Sequence, residues 1–268
     1  MLIDTHCHLT HADLASQIDG VLARAAAADV CQCIAVATSP RDAAEAAAIA
    51  APRANIFVAA AIHPHEAGHC TDADFALLRE FQKGMGAARE LPGRVVAVGE
   101  IGLDFHYNFA PPPRQEEVFR AQLRLACDAG RPVIIHAREA EQRVCEILGE
   151  FPALRDRVVF HCFSGGAELA RRILDAGSWL SFTGVVTFKN ANAIRDAARA
   201  APADRIMVET DAPYMTPEPV RKIRPNEPAL VVHTARFLAD LRGETLDTFA
   251  EHTSANARRF FSLPEIAT

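Results

Sequence analysis

Short apolar runs alternate with longer stretches of helical periodicity along this chain. The apolar runs are Leu2 to Thr5, Cys33 to Thr38, Ile56 to Ile62, Val95 to Gly99, Val133 to Ile135, Val158 to Phe160, Trp179 to Thr183 and Arg205 to Val208. Several are near-continuous Val, Ile and Ala, the pattern of parallel strands buried on both faces. Helices are predicted between them, over Asp19 to Ala28, Arg41 to Ala51, Asp72 to Glu90, Gln115 to Ala129, Glu139 to Leu148, Ala167 to Asp175 and Ala191 to Ala200. Two more follow the last run, at about Glu227 to Leu241 and Leu246 to Phe260. Gly130, Gly149 and Gly177 stand where helices should stop. Phe109 to Pro113 and the proline-rich Pro213 to Pro228 are expected to be loops. Eight strands with intervening helices point to an α/β fold of the TIM (β/α)8 barrel class rather than a doubly wound open sheet. No internal repeat or low-complexity linker interrupts the pattern, so residues 1–268 are expected to form a single domain.

Composition agrees with this. The 268 residues are 50% hydrophobic and 23% charged, enough apolar side chains for a sizeable core. No run of 18 or more apolar residues suggests a membrane span. The opening Met1-Leu2-Ile3-Asp4 has no basic n-region or apolar h-region. Seven scattered cysteines do not suggest a disulfide framework, so a cytoplasmic protein is expected. The formal net charge of −6 argues against broad, non-specific nucleic-acid binding. Two bound divalent ions would reverse that locally, in one cleft.

The polar residues that follow the apolar runs carry the chemistry. His6 and His8 close the first run, and residues i and i+2 of an extended segment share a face. Glu100 follows the fourth run, His136 the fifth, His161 the sixth and Asp211 the eighth. The carboxyl ends of barrel strands are where barrel active sites are built, and strands converging there let distant residues share an ion. Imidazole and carboxylate suit zinc, manganese and related ions, and a barrel core would use Val, Ile and Leu instead. Six ligands exceed what one hydrolytic zinc with an open position needs. They suit two ions, with Glu100 as the natural bridge.

The segments Asp4-Thr5-His6-Cys7-His8-Leu9, Ile62-His63-Pro64-His65, Val98-Gly99-Glu100-Ile101-Gly102-Leu103-Asp104, Pro132-Val133-Ile134-Ile135-His136-Ala137-Arg138, His161-Cys162-Phe163-Ser164-Gly165 and Glu209-Thr210-Asp211-Ala212-Pro213-Tyr214 occur in this order. With them the chain resembles the TatD family of metal-dependent deoxyribonucleases, of the amidohydrolase-like superfamily, along nearly its whole length. The resemblance implies a metallo-dependent-hydrolase barrel with two divalent ions, Mg2+, Mn2+ or Zn2+. It implies that His6, His8, Glu100 and Asp211 hold one ion, and that Glu100, His136 and His161 hold the other. It also implies phosphodiester hydrolysis, with 3′ to 5′ exonucleolytic trimming of single-stranded DNA. Ala61, Glu139 and the stretch Val220 to Pro228 depart from the family pattern without removing a ligand.

Glu100, Asp211 and His63 are the candidate catalytic residues, with Asp211 as a metal ligand that also accepts the water proton. His63, His65, Arg138, Lys189, Arg221 and Arg224 are the candidate substrate contacts. Arg138 has a neighbouring acid as its alternative partner, and Arg221-Lys222-Arg224 has bulk solvent. Phe105, Tyr107 and Phe109 are expected to anchor a packed loop, the alternative being to stack a base. Cys7 and Cys162 should point away from the ligands as core thiols. His11, His69, His106, His233 and His252 should be surface residues. Two other functions remain open on these residues: hydrolysis of an ester or amide, such as aminoacyl-tRNA deacylation, and non-catalytic nucleic-acid binding. Oligomeric state has no signature in the sequence, and a monomer is consistent with it.

Overall fold

The computed structural model describes residues 1–91, 93–107 and 109–265. In chain order the elements are β1 (Leu2–Cys7), α1 (Ala12–Ala15), α2 (Ile18–Ala27), β2 (Val30–Ala37), α3 (Pro40–Ala50), β3 (Ile56–Ala60), α4 (Asp72–Gln82), β4 (Val95–Asp104), α5 (Pro112–Ala129), β5 (Val133–Arg138), α6 (Glu141–Leu148), β6 (Val158–Phe160), α7 (Ala167–Asp175), β7 (Trp179–Phe182), α8 (Asn192–Ala200), β8 (Ile206–Val208), α9 (Val231–Arg242) and α10 (Leu246–Phe261). Single turns of 3-10 helix fill several connections, among them Pro64–Glu66 and Gly184–Thr187. The eight strands lie in the order β1 to β8. Among the described residues no helix is long and apolar enough to cross a membrane, and all seven cysteines are free.

Contacts divide the chain into two compact units, Met1–Ala35 with His161–Thr268, and Val36–Phe160. In the first, β1 runs parallel to the start of β2, and β7 runs parallel to β8. Helix α10 packs on β1 and β8 and buries Phe249, which, like Phe182 and Ile3, is fully enclosed. In the second, β3, β4, β5 and β6 are successively parallel. Helix α5 covers β4, with Phe119 and Phe57 fully buried.

Helix ends explain where the predicted boundaries moved. The helix predicted over Asp72 to Glu90 is two pieces. Helix α4 starts in a capping box of Thr71 with Asp74. It stops before Gly84 and Gly86, both at positive φ, and a 3-10 turn, Gly86–Glu90, follows. Helix α5 starts at Pro112, inside the segment expected to be a loop. Proline is tolerated at the first helical position, where its missing N–H has no intrahelical partner anyway. It ends on Gly130 in the left-handed region.

Two strands that bear candidate ligands carry an extra residue. Against β2, three residue steps of β1 (Asp4 to Cys7) oppose two. Against β5, three steps of β4 (Val98 to Ile101) oppose two. Such bulges re-aim side chains. Here they fall at His6 and Glu100. Strand β4 also continues past Glu100 to Asp104, and β5 past His136 to Arg138. Glu100 and His136 are therefore inside strands, not at their ends as expected. Glycine makes the extension feasible: a Cβ on Gly99 would lie 2.5 Å from the Ile134 Cβ, and one on Gly102 would lie 1.9 Å from the His136 carbonyl oxygen.

Candidate metal centre

In the first unit β1, the turn after β6 and the segment after β8 bring His6, His8, His161 and Asp211 together. The Nε2 atoms of His6 and His8 are 3.3 Å apart. Asp211 Oδ1 is 3.4 Å from His8 Nε2 and 3.8 Å from His6 Nε2. The His161 ring stacks on His6 with centroids 4.0 Å apart. His6 is fully buried and Asp211 is 7% exposed. A circle through three atoms so separated has a radius of about 2.0 Å, the distance at which imidazole and carboxylate bind a divalent ion. The donor set therefore fits a cation in both type and spacing. His6, His161 and Asp211 likewise converge their ligand atoms.

Carboxylates behind these residues set their orientation. Glu209 Oε1 lies 3.2 Å from His161 Nδ1 and accepts the Cys162 backbone N–H at 2.6 Å. Its Oε2 accepts the Ser181 hydroxyl at 2.6 Å. Burial works against the Glu209 charge, but the bond to His161, the fields of His161 and His6 and the Ser181 hydroxyl together hold the carboxyl below its ordinary range. Glu209 thus takes the Nδ1 proton of His161 and leaves Nε2 as the basic nitrogen. Asp4, also fully buried, accepts the Thr210 N–H at 2.9 Å and hydroxyl at 2.6 Å. Burial nevertheless pushes its pKa up to about 7. Burial opposes the Asp211 charge too, and the facing histidines, His8 foremost, keep it ionised.

In the second unit β4, β5 and the segment after β3 bring Glu100, His136, His63 and His65 together. The two ring nitrogens of His136 face different carboxylates: Nδ1 is 2.8 Å from Glu100 Oε1, and Nε2 is 3.0 Å from Asp104 Oδ2. That same Asp104 oxygen lies 2.8 Å from His65 Nε2. The other accepts the backbone N–H of His106 at 3.0 Å and of Tyr107 at 2.9 Å. Asp104 is fully buried. Desolvation opposes its charge, yet the bonds from His136, Tyr107 and His65 hold its carboxyl well below the usual range. Asp104 therefore claims the Nε2 proton of His136. In the neutral ring this leaves the Nδ1 lone pair against the Glu100 carboxylate, an arrangement that a shared cation relieves.

His63 is arranged differently. Its Nδ1 accepts the His65 backbone N–H at 3.2 Å, so the neutral ring carries its proton on Nε2, 3.7 Å from Glu100 Oε1. Burial lowers its pKa to about 4, against the pull of Glu100. A protonated Nε2 is a hydrogen-bond donor, not a ligand.

The remaining sequence candidates are less enclosed. Among the described residues no acid pairs with Arg138. Its guanidinium lies 4.6 Å over the Tyr107 ring, with Nη1 3.3 Å from the Tyr107 hydroxyl. Lys189 is exposed. Arg221, exposed, sits 3.6 Å over Phe188, and Arg224, exposed, donates to the Ile223 carbonyl at 3.2 Å. Cys7 is a buried thiol donating to the Ile34 carbonyl at 3.4 Å. Burial raises the Cys162 pKa to about 12. Of the histidines expected at the surface, His69 and His106 are exposed, whereas His252 is half-buried and 2.6 Å from Glu244. Sequence reasoning assigned no role to Asp4, Asp104 or Glu209. Two of them had a signal in their spacing: Asp4 and Glu209 each stand two residues before a candidate ligand.

Comparison with known proteins agrees with this chemistry. Residues 3–262 match the family described as TatD related DNase. The chain is 37% identical over 265 residues to the "uncharacterized metal-dependent hydrolase YcfH" of Escherichia coli K12, covering 98% of this chain and 96% of that protein. It is 35% identical over 266 residues to the "3'-5' ssDNA/RNA exonuclease TatD" of Enterobacter lignolyticus, covering 98% and 99%. The crystal structure of YjjV, a TatD homolog from E. coli K12, matches with a TM-score of 0.90 and 30% identity over 98% of both chains. An organophosphorus hydrolase from Deinococcus radiodurans shares the fold, with a TM-score of 0.65 and 17% identity. The chain belongs to the TatD family and is a metal-dependent hydrolase. Eight sequential strands and the whole-chain likeness make its fold the (β/α)8 barrel class expected from the sequence.

Proposed function

We propose that the two sets of ligands act as one two-ion centre within a single barrel domain, and that the protein is a nuclease trimming single-stranded DNA from its 3′ end. His6, His8 and Asp211 would hold one ion and His136 and His161 the other, with Glu100 shared by both. The observation that carries this reading is the His6, His8 and Asp211 triangle, spaced for a divalent ion. Support for the substrate comes from relatives named as single-stranded DNA and RNA exonucleases. Divalent ions, whether Mg2+, Mn2+ or Zn2+, bring the pKa of water toward neutrality and offset charge on phosphoryl oxygens.

The chain's own groups do the rest. Asp211, held ionised among histidines, accepts the proton of the attacking water. His63 stays neutral at physiological pH and donates from Nε2 to a phosphoryl oxygen. Glu209 and Asp104 hold His161 and His136 with the ligand nitrogen unprotonated. His65 and Arg138 lie on the His136 side and contact the substrate phosphate. The exposed Lys189, Arg221 and Arg224 supply longer-range attraction for the backbone.

The test is digestion of 3′-labelled and 5′-labelled single strands with Mg2+, Mn2+ or Zn2+, with and without EDTA. Shortening from the 3′ end that EDTA abolishes is expected. No metal-dependent cleavage at either end would remove the nuclease reading. Aminoacyl-tRNA as the only cleaved substrate would reassign the site to a carboxylic ester.

A further inference from the structure

Between β4 and α5 the second unit exposes two aromatic rings. Tyr107 is 47% exposed and Phe109 is 61% exposed. A loop anchor would bury these rings. Leaving them in water forgoes roughly 25 cal/mol for each Å² of apolar surface, and folding does not require it. Their planes are within 7° of parallel, with centroids 5.5 Å apart. The Arg138 guanidinium covers Tyr107 at 4.6 Å. The result is a small stacked array of two ring faces and one cation.

The array adjoins the metal ligands through named contacts. His65 meets Phe109 at 4.8 Å and Tyr107 at 5.5 Å between centroids, with the ring planes near perpendicular. His65 and His136 share Asp104 Oδ2 at 2.8 and 3.0 Å. Asp104 also fixes the Tyr107 backbone through its N–H. The His65 and His136 centroids are 5.9 Å apart. Placed end to end, these centroid steps put Phe109 within about 11 Å of His136. A single strand rises about 3.4 Å per stacked nucleotide and more when extended, so a base a few nucleotides from the cleaved bond reaches this distance.

We propose that Tyr107, Phe109 and Arg138 form a stacking subsite for an unpaired nucleobase of the substrate strand. The proposal rests on the nuclease reading and adds to it. Every base has a π-face, so such a platform grips single strands with little sequence preference. Paired bases in a duplex are stacked on each other and cannot lie on it. Arg138 adds a cation beside the adjoining phosphate, and Asp104 couples the platform to the orientation of a metal ligand. The platform thus selects single strands by the availability of a base face.

The experiment compares short single strands carrying an abasic site at successive positions from the 3′ end. For the wild type, one abasic position should raise KM about 10-fold, the typical weight of one base–aromatic stack. The Tyr107→Ala/Phe109→Ala double variant should raise KM on the intact strand by a similar factor and be indifferent to that abasic position. The exchange Tyr107→Phe/Phe109→Tyr, which keeps both ring faces, should retain the wild-type pattern. An equal penalty for the double variant on intact and abasic strands would overturn the proposal. So would no penalty at all, or a change in sedimentation showing that the rings bind a second copy of the chain. If the wild type cleaves no strand, the nuclease reading falls separately. The platform is then judged by equilibrium binding of the same strands, where equal affinity for intact and abasic forms overturns it.

Discussion

Replacing Asp104 by Asn tests whether a residue outside the proposed ligand set controls metal affinity. Asp104 accepts from His136 Nε2 at 3.0 Å and His65 Nε2 at 2.8 Å on one oxygen. It accepts two backbone N–H groups on the other. Asparagine preserves size and can still accept the two backbone bonds through its oxygen. Its amide N–H groups would then face the two imidazoles. His136 must respond by moving its proton from Nε2 to Nδ1, the nitrogen 2.8 Å from Glu100. The proton then occupies the nitrogen that should bind the ion. Losing such an outer partner typically weakens metal affinity about 10–100-fold, or about 1.4–2.7 kcal/mol. Competition against a fluorescent chelator with Zn2+ or Mn2+ measures this directly, with thermal unfolding in EDTA as the control for folding. A folded Asp104→Asn protein with wild-type affinity would refute both the tautomer assignment and the idea that His136 binds through Nδ1.

Glu100→Gln should lower bound metal from two ions to one or none, read by elemental analysis after desalting; two retained ions at near-wild-type rate would remove Glu100 as the shared ligand. Arg221→Ala/Lys222→Ala/Arg224→Ala should flatten the dependence of log affinity for single-stranded DNA on log salt, by about 0.7 for each phosphate no longer neutralised; an unchanged slope would show that these cations face only solvent. Bonds from Arg143 and Arg120 hold the Glu116 pKa at about 2, below the ordinary glutamate value of 4.5. A depressed folded pKa stabilises the native state above pH 4.5, and that contribution is lost as pH falls from about 4.5 to about 2. Glu116→Gln should therefore cost about 1–2 kcal/mol near neutrality, allowing for partial solvent screening, and the difference from wild type in urea unfolding should shrink toward zero by about pH 2.

The candidate ligands were legible because their choice depends on local chemistry. The residues His6, His8, His136, His161, Glu100 and Asp211 are set by side-chain type and by position after an apolar run. Alternation placed His6 and His8 on one side, and their Nε2 atoms are indeed 3.3 Å apart. The fold class followed from counting eight runs separated by helical periodicity. The helix breaks were less legible. Pro112 reads as a loop residue but starts α5, because only the absence of an N–H partner at a helix start makes proline welcome there.

Sequence by itself determined the order of strands and helices and the kinds of atom that could meet a metal, since hydrophobic period and donor chemistry are properties of neighbouring residues. Tertiary structure alone decided which ring nitrogens of His136 and His161 meet a carboxylate. That choice belongs to Asp104 and Glu209, which act across 32 and 48 residues of chain on His136 and His161. It also decided that β4 runs on to Asp104 around an extra residue, and that Tyr107 and Phe109 face water instead of the core. Partner, protonation and exposure are set by what the folded chain places opposite a side chain, which no local pattern encodes.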